Sequence, residues 1–328
     1  MFQKSHKTVI QIISPILLII SFILALVLGA EKVSLAAVFG HGDKFENIIL
    51  WNLRLPRACL VLVTGILLGG SGAVFQLFFR NPLAEPGIMG ISSGATLGAV
   101  IASVIIGASA AVNLAAFFGA IGAGVLVTAL AFSRRGKSSS IMLLLCGTAL
   151  GTLYSSISSV VLLTCNKELH SIYTWILGSF NGRGWQELLF ILPFAFIALV
   201  IMFSIGGPLD LLSGGEKTAA SLGVEVSRLR ILVLIAGALA VSASVCAGGT
   251  IGFVGLIAPH IVRKIVGPKS RVLIPFSMIF GGIILLLSDT LARIIIAPSE
   301  LPAGVITSIL GVPFFLALCL GKKDGGDF

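Results

Sequence analysis

Long apolar stretches alternate with short polar ones along the whole chain. Ten apolar runs stand out, at residues 10–29, 58–78, 91–107, 112–132, 141–163, 189–205, 230–247, 251–266, 272–291 and 303–320. A helix rises 1.5 Å per residue, so about 20 apolar residues cross the ~30 Å hydrocarbon core of a bilayer. The third, sixth and eighth runs are short or broken by Gly and Pro. The pattern predicts an all-α integral membrane protein of about ten transmembrane helices. The first run is longer than the apolar core of a signal peptide and lacks a clear cleavage site, so it reads as a retained helix.

Polar connections do not leave room for a soluble domain. The longest are 30–57 and 164–188 on one side and 206–229 on the other, so residues 1–328 read as a single transmembrane domain. Composition agrees. Of 328 residues 57% are hydrophobic and 11% charged, with a mean hydropathy of +1.10; a soluble domain carries roughly 25% charged residues. The 39 glycines predict a compact bundle, because small residues let helix backbones approach closely in lipid.

A net charge of +9 would suggest nucleic acid on a soluble protein, but here its placement decides. With ten spans, fifteen of the 22 Lys and Arg fall on the side of both termini and seven on the other. The positive-inside rule then puts both termini in the cytoplasm. The segment GGTIGFVGLIAPHIVRKIVGPKSR (248–271) fits this frame. Glycines permit a tight outer turn, Pro259 interrupts the helical ladder, and Arg263, Lys264, Lys269 and Arg271 anchor the cytoplasmic end.

Candidate chemistry is sparse. Five scattered cysteines form no CxxC and the four histidines no HxxxH, so no metal site is expected. His260 reads as a packing or hydrogen-bonding residue. Asp289 and Arg293 lie four apart and can pair on one helix face. Glu85 lies in the turn after the second span. None of these is a strong site for proton or sodium coupling, which usually needs a carboxylate or unwound polar site at mid-depth. HExxH and paired intramembrane aspartates are absent from the chain, so no catalytic constellation of a membrane enzyme is expected.

The cytoplasmic stretch LDLLSGGEKTAASLGVEVSRLR (209–230) carries the most information. GGEKT resembles a phosphate-binding loop, but Glu216 stands where that loop needs Gly before Lys, and no strand precedes it. As a short helix, it would align Glu216, Ala219, Ala220 and Gly223 at i, i+3, i+4 and i+7. Glu216 suits the positive end of the helix dipole, and Gly223 a C-terminal stop. Small residues on that face would let the helix sit in a partner's groove; a solvated connecting loop is the alternative.

GGEKTAASLG resembles the cytoplasmic coupling segment of the FecCD/BtuC-like family, the permease subunits of type II ABC importers for iron–siderophore, haem and cobalamin. The resemblance extends, in the family's order, through LRLPR (53–57), GAVFQLFFRNPLAEPGIMGISSGA (72–95), WILGSF (175–180), GTIGFVGLIAPHIVRKIVGP (249–268), LLLSDTLAR (285–293) and ELPAGVITSILGVPFF (300–315). It implies a multi-pass permease in the bacterial cytoplasmic membrane, paired with a second, identical copy. Two separate ABC ATPase subunits would bind ATP and Mg²⁺, and an extracytoplasmic binding protein would deliver the substrate. The permease itself would hold no cofactor and catalyse nothing. It further implies ATPase coupling through Gly215, Glu216, Ala219, Ala220, Leu222 and Gly223 (coupling segment about 207–229). The binding protein would dock on Arg54, Arg57 and Arg293, and Ser139 and Ser140 would form a cytoplasmic gate. The pathway itself should be apolar, Gly-rich and hydroxylated, with selectivity residing largely in the binding protein. An iron chelate is the expected cargo, with haem or cobalamin as alternatives. An ion-coupled secondary transporter is the rival of another class, separable by uptake that survives ATP depletion but collapses with ionophore.

Overall fold

The computed structural model describes residues 2–31, 33–106, 109–132, 140–164 and 174–320. Among these residues the chain is helical and contains no strand. The main helices are α1 (Phe2–Val27), α4 (Leu55–Phe79), α5 (Ile91–Ile105), α6 (Ser109–Phe132), α7 (Ser140–Thr164), α8 (Trp185–Ser204), α11 (Val226–Gly248), α12 (Val254–Val266), α13 (Ser270–Ile294) and α14 (Ala303–Leu320). Each coincides with one of the ten apolar runs.

Six of them are long and apolar enough to cross a membrane: α4, α6, α7, α8, α11 and α13. The eighth run is shorter than its hydropathy suggested. Helix α12 has only 13 residues, or about 20 Å of rise, because residues 249–253 are not helical. Four short helices lie in the polar connections: α2 (Leu35–Val38), α3 (Lys44–Ile48), α9 (Gly206–Leu212) and the expected α10 (Glu216–Ser221). In the 30–57 connection, Glu46 closes a small loop by accepting from the Ser34 and Asp43 N–H groups at 2.9 and 3.2 Å. The Ser34 N–H bond leads in holding the Glu46 carboxyl below its ordinary range.

The bundle has the polarity of a membrane protein. Helices α4, α11 and α13 form its buried centre, where Thr64, Ser71, Gln76, Ser242, Ser244, Ser277 and Ser288 are all enclosed. The outer helices present large apolar side chains instead: Phe118, Val125, Val160, Leu189 and Phe196 are each more than 60% exposed. An apolar belt of this extent would aggregate in water and is at home in lipid.

Glycine sets the central crossing of α4 with α13. A methyl group on Gly65 would lie 2.5 Å from the Gly281 carbonyl oxygen, and one on Gly281 would lie 2.2 Å from that of Gly65. Backbone meets backbone there, so close packing needs both residues. At α12, Pro259 cannot donate to the Gly255 carbonyl four residues back. Gly72 of α4 packs against that same carbonyl, where any Cβ would sit 1.8 Å away. Pro259 therefore frees an acceptor on the face that α4 covers.

Candidate functional site

Two polar features lie at opposite ends of α4. At the end near Phe79 lies the segment that joins α8 to α11. Gly215 precedes α10 with φ +103°, and Gly223 follows it with φ +88°, a conformation L side chains rarely adopt. The helix stops as its sequence predicts. Gly223 N–H donates to Ala220 O and Val224 N–H to Ala219 O, at 3.1 and 3.0 Å, which is the Schellman pattern.

The predicted small face is split. Ala219 is fully buried in the bundle, whereas Glu216, Lys217, Ala220, Ser221, Leu222 and Gly223 are exposed. Ala219 therefore anchors α10 to its own chain and leaves the others outward. Leu222, 61% exposed, is the one large apolar side chain offered by this turn. Two polar ties fix the segment. Glu216 pairs with Arg230 of α11 at 3.2 Å. Asp210 of α9 accepts the Ser270 N–H at the start of α13 at 2.7 Å, and Ser270 Oγ donates to Gly206 O at 2.7 Å. The exposed turn is thus joined to two buried helices. These ties link residues 14 to 64 positions apart, and neither had a signal in the linear pattern.

At the other end of α4, all three predicted docking arginines converge on one pocket of about 410 Å³. None is a free surface cation. Arg57, 9% exposed, donates from Nη2 and Nε to Asp289 at 2.8 and 3.1 Å, and from Nη1 to Glu300 at 2.8 Å. Arg293 pairs with Asp289 at 3.3 Å and donates to the Ala25 carbonyl at 2.8 Å. Arg54 donates to the carbonyls of Leu26, Val27 and Glu31. The expected Asp289–Arg293 pair is present, but the stronger partner of Asp289 is Arg57, 232 residues away. Buried guanidinium groups stay charged and need such partners to offset their desolvation, so the bundle itself neutralises most of this cluster. Glu300 was part of a quoted motif but had no expected role.

Of the predicted gate, Ser139 lies outside the described residues, and Ser140 opens α7. Beyond it α7 carries an exposed hydroxyl stripe at Thr148, Thr152, Ser155, Ser156 and Ser159. Thr152, Ser156 and Ser159 each donate to the carbonyl four residues back. His260 packs edge-on to Phe314 at 5.6 Å.

A third feature is a cavity of about 490 Å³ between the ends of α11 and α14 and the turn after α4. Its wall is largely apolar and glycine, with hydroxyls from Ser92, Ser244, Thr250 and Ser308.

An all-helical bundle with an apolar belt, a projecting turn tied to buried helices and an arginine-lined pocket at the far end defines a polytopic membrane protein of the transport class. The chain belongs to the FecCD transport family, whose model matches residues 17–321. It is 36% identical to the Fe(3+)-citrate import system permease protein YfmD of Bacillus subtilis, over 96% of each chain. It is 36% identical to the vitamin B12 import system permease protein BtuC of Citrobacter koseri, over 94% of this chain and 93% of that one. Among solved structures, it resembles one assigned to the metal-chelate type of ABC transporter in an inward-facing conformation. The TM-score is 0.85 at 32% identity, covering 94% of this chain and 97% of the other.

Proposed function

We propose that this chain is the membrane permease of an ATP-driven importer for an iron chelate, working as a pair of identical copies with two ABC ATPase subunits and an extracytoplasmic binding protein. Full-length similarity to import permeases carries the reading. The whole of 1–328 is one transmembrane unit with ten crossings and both termini in the bacterial cytoplasm. Haem and cobalamin are alternative cargoes within the same class.

The exposed α10 turn is the ATPase contact. Gly215 and Gly223 set its ends, while Glu216, Ala220 and Leu222 face the partner and Ala219 holds it to the bundle. Closure of the ATPase pair pulls on this turn, and the Arg230 and Ser270 ties carry the pull to α11 and α13. ATP acts by preferring one permease arrangement over the other, as any such coupling requires.

Arg54, Arg57 and Arg293 line the docking pocket for acidic side chains of the binding protein. Docking there is an exchange of partners: an incoming carboxylate competes with Glu300 for Arg57. Such charge complementarity mainly sets orientation and encounter rate. The α7 hydroxyl stripe, poorly suited to lipid, faces the lumen between the two copies. Ser139 and Ser140 narrow its cytoplasmic end.

The test is a tagged pull-down from gently solubilised native membranes, with wild type and Glu216→Arg compared by mass spectrometry. An ABC ATPase recovered with wild type and lost with the variant is expected. An intact wild-type chain that recovers none would sink the reading.

A further inference from the structure

The 490 Å³ cavity carries a chemical preference that the permease reading does not assign. The chain leaves α4 through Arg80, in the left-handed region at φ +50°, and turns back on itself as Asn81 Oδ1 accepts the Leu83 N–H at 3.0 Å. Glu85 precedes Pro86, which forces it into an extended conformation (φ −139°, ψ 153°). That geometry delivers the Glu85 side chain to the cavity wall, where it is the only ionisable residue among the described lining. No hydrogen bond or ion pair to its carboxylate is formed within the described residues. Ser92, on the first turn of α5, also lines that wall: a Cβ on Gly87 would lie 3.4 Å from Glu85 Oε1 and 3.7 Å from Ser92 Oγ.

The other polar groups of the wall have a shared bias. Ser244 Oγ donates its proton to Ala240 O at 2.7 Å, Ser308 Oγ donates to Gly304 O at 2.8 Å, and Thr250 Oγ1 donates to Ile176 O. A hydroxyl has one proton and two lone pairs. With the proton committed to the main chain, each of these oxygens meets the cavity as an acceptor. Three acceptor hydroxyls and the unpartnered Glu85 carboxyl make a wall that offers mainly lone pairs. Burial pushes the Glu85 pKa up to about 7, so an arriving cation favours its ionised form.

We propose that this cavity is a cargo subsite for a cationic or neutral, donor-bearing face of a metal–organic ligand, with Glu85 as the residue that selects against anionic chelates. This rests on the importer reading and sharpens its substrate class. A carboxylate in a poorly hydrated site is stabilised by an arriving ammonium or N–H group and repels an arriving carboxylate. An anionic chelate would meet that repulsion with no side-chain cation in the wall to offset it. The selectivity of transport is therefore not left entirely to the binding protein.

The experiment uses the permease with its ATPase subunits in lipid nanodiscs. The probes are three ferric trihydroxamates on one linear scaffold: one with a free pendant ammonium, one N-acetylated and neutral, and one N-succinylated and anionic. Binding is measured by equilibrium dialysis with radioiron. Wild type should bind the cationic probe about tenfold more tightly than the neutral one, as expected for a desolvated charge pair, with the anionic probe weakest. Glu85→Gln, nearly isosteric, should close the cation–neutral gap to within about twofold and leave the neutral probe unchanged. Ser308→Ala, which keeps the carboxylate, should weaken cationic and neutral probes alike by a few-fold, the worth of one hydrogen bond. Charge preference that persists in Glu85→Gln, preference for the anion, or no binding of any probe by wild type would each overturn the proposal. Recovery of the ATPase with the same preparations reads the importer assignment separately, so the two cannot fail unnoticed together.

Discussion

Asp289→Asn is the most revealing single change available in this fold. Asp289, 2% exposed, is the only carboxylate that touches both Arg57 and Arg293 among the described residues. Amidation keeps its size but removes the charge opposite two buried guanidinium groups. At an effective dielectric near 20, each such contact is worth about 4 kcal/mol of attraction, most of it already spent on desolvation. Removing one partner of a buried pair typically costs about 3–5 kcal/mol, because the other charge is stranded. Glu300 can still hold Arg57 Nη1, and the Ala25 carbonyl still holds Arg293, so the lower half of that range is expected. Glu300→Gln is the internal control. Its side chain is 21% exposed against 3% for Asp289, so water replaces the lost charge more readily and the cost is smaller. Unfolding free energy, from sodium dodecyl sulfate titration in mixed micelles, should rank Asp289→Asn well above Glu300→Gln. In an Arg57→Met background, Asp289→Asn should cost less than half as much, since the main stranded cation is gone. Equal costs for the two single variants, or an Asp289→Asn cost unchanged by Arg57→Met, would refute the claim that Asp289 holds this end of the bundle together.

Other positions give sharper yes-or-no outcomes. Gly65→Val pushes a side chain into the Gly281 backbone and should cost about 3 kcal/mol or more, beyond ordinary overpacking; loss of monodisperse protein on size exclusion checks it. Gly122→Ala, in open space on α6, should instead be neutral or stabilise by up to about 1 kcal/mol. Asp210→Ala removes the acceptor at the start of α13 and should lower stability by about 1 kcal/mol, while weakening ATPase coupling more than ATPase binding in reconstituted turnover assays. Gly223→Ala strains the left-handed stop of α10 and should reduce ATPase recovery in the pull-down, leaving bundle stability within about 1–2 kcal/mol of wild type.

The linear pattern determined which segments become helices and that they belong in lipid. Hydropathy and length are local properties, and a bilayer obliges every crossing backbone to satisfy itself within its own helix. The stops of α10 were legible for the same reason, since Gly215 and Gly223 act on their own dihedral angles. The start of α12 was legible only approximately: the glycines marked a turn, but Ile251 and Phe253 read as part of the apolar run while the helix begins at Val254. Tertiary structure alone decided where charges end. Arg54, Arg57 and Arg293 read as surface cations, yet Asp289 and Glu300 reach Arg57 from more than 230 positions away and bury it. Ala219 turned inward against its expected face because a six-residue helix has too few turns to be amphipathic without a neighbour. Glu85 was visible as a carboxylate in a turn. Its solitude, and the acceptor wall around it, came from five separate segments meeting at one cavity, which no window of sequence contains.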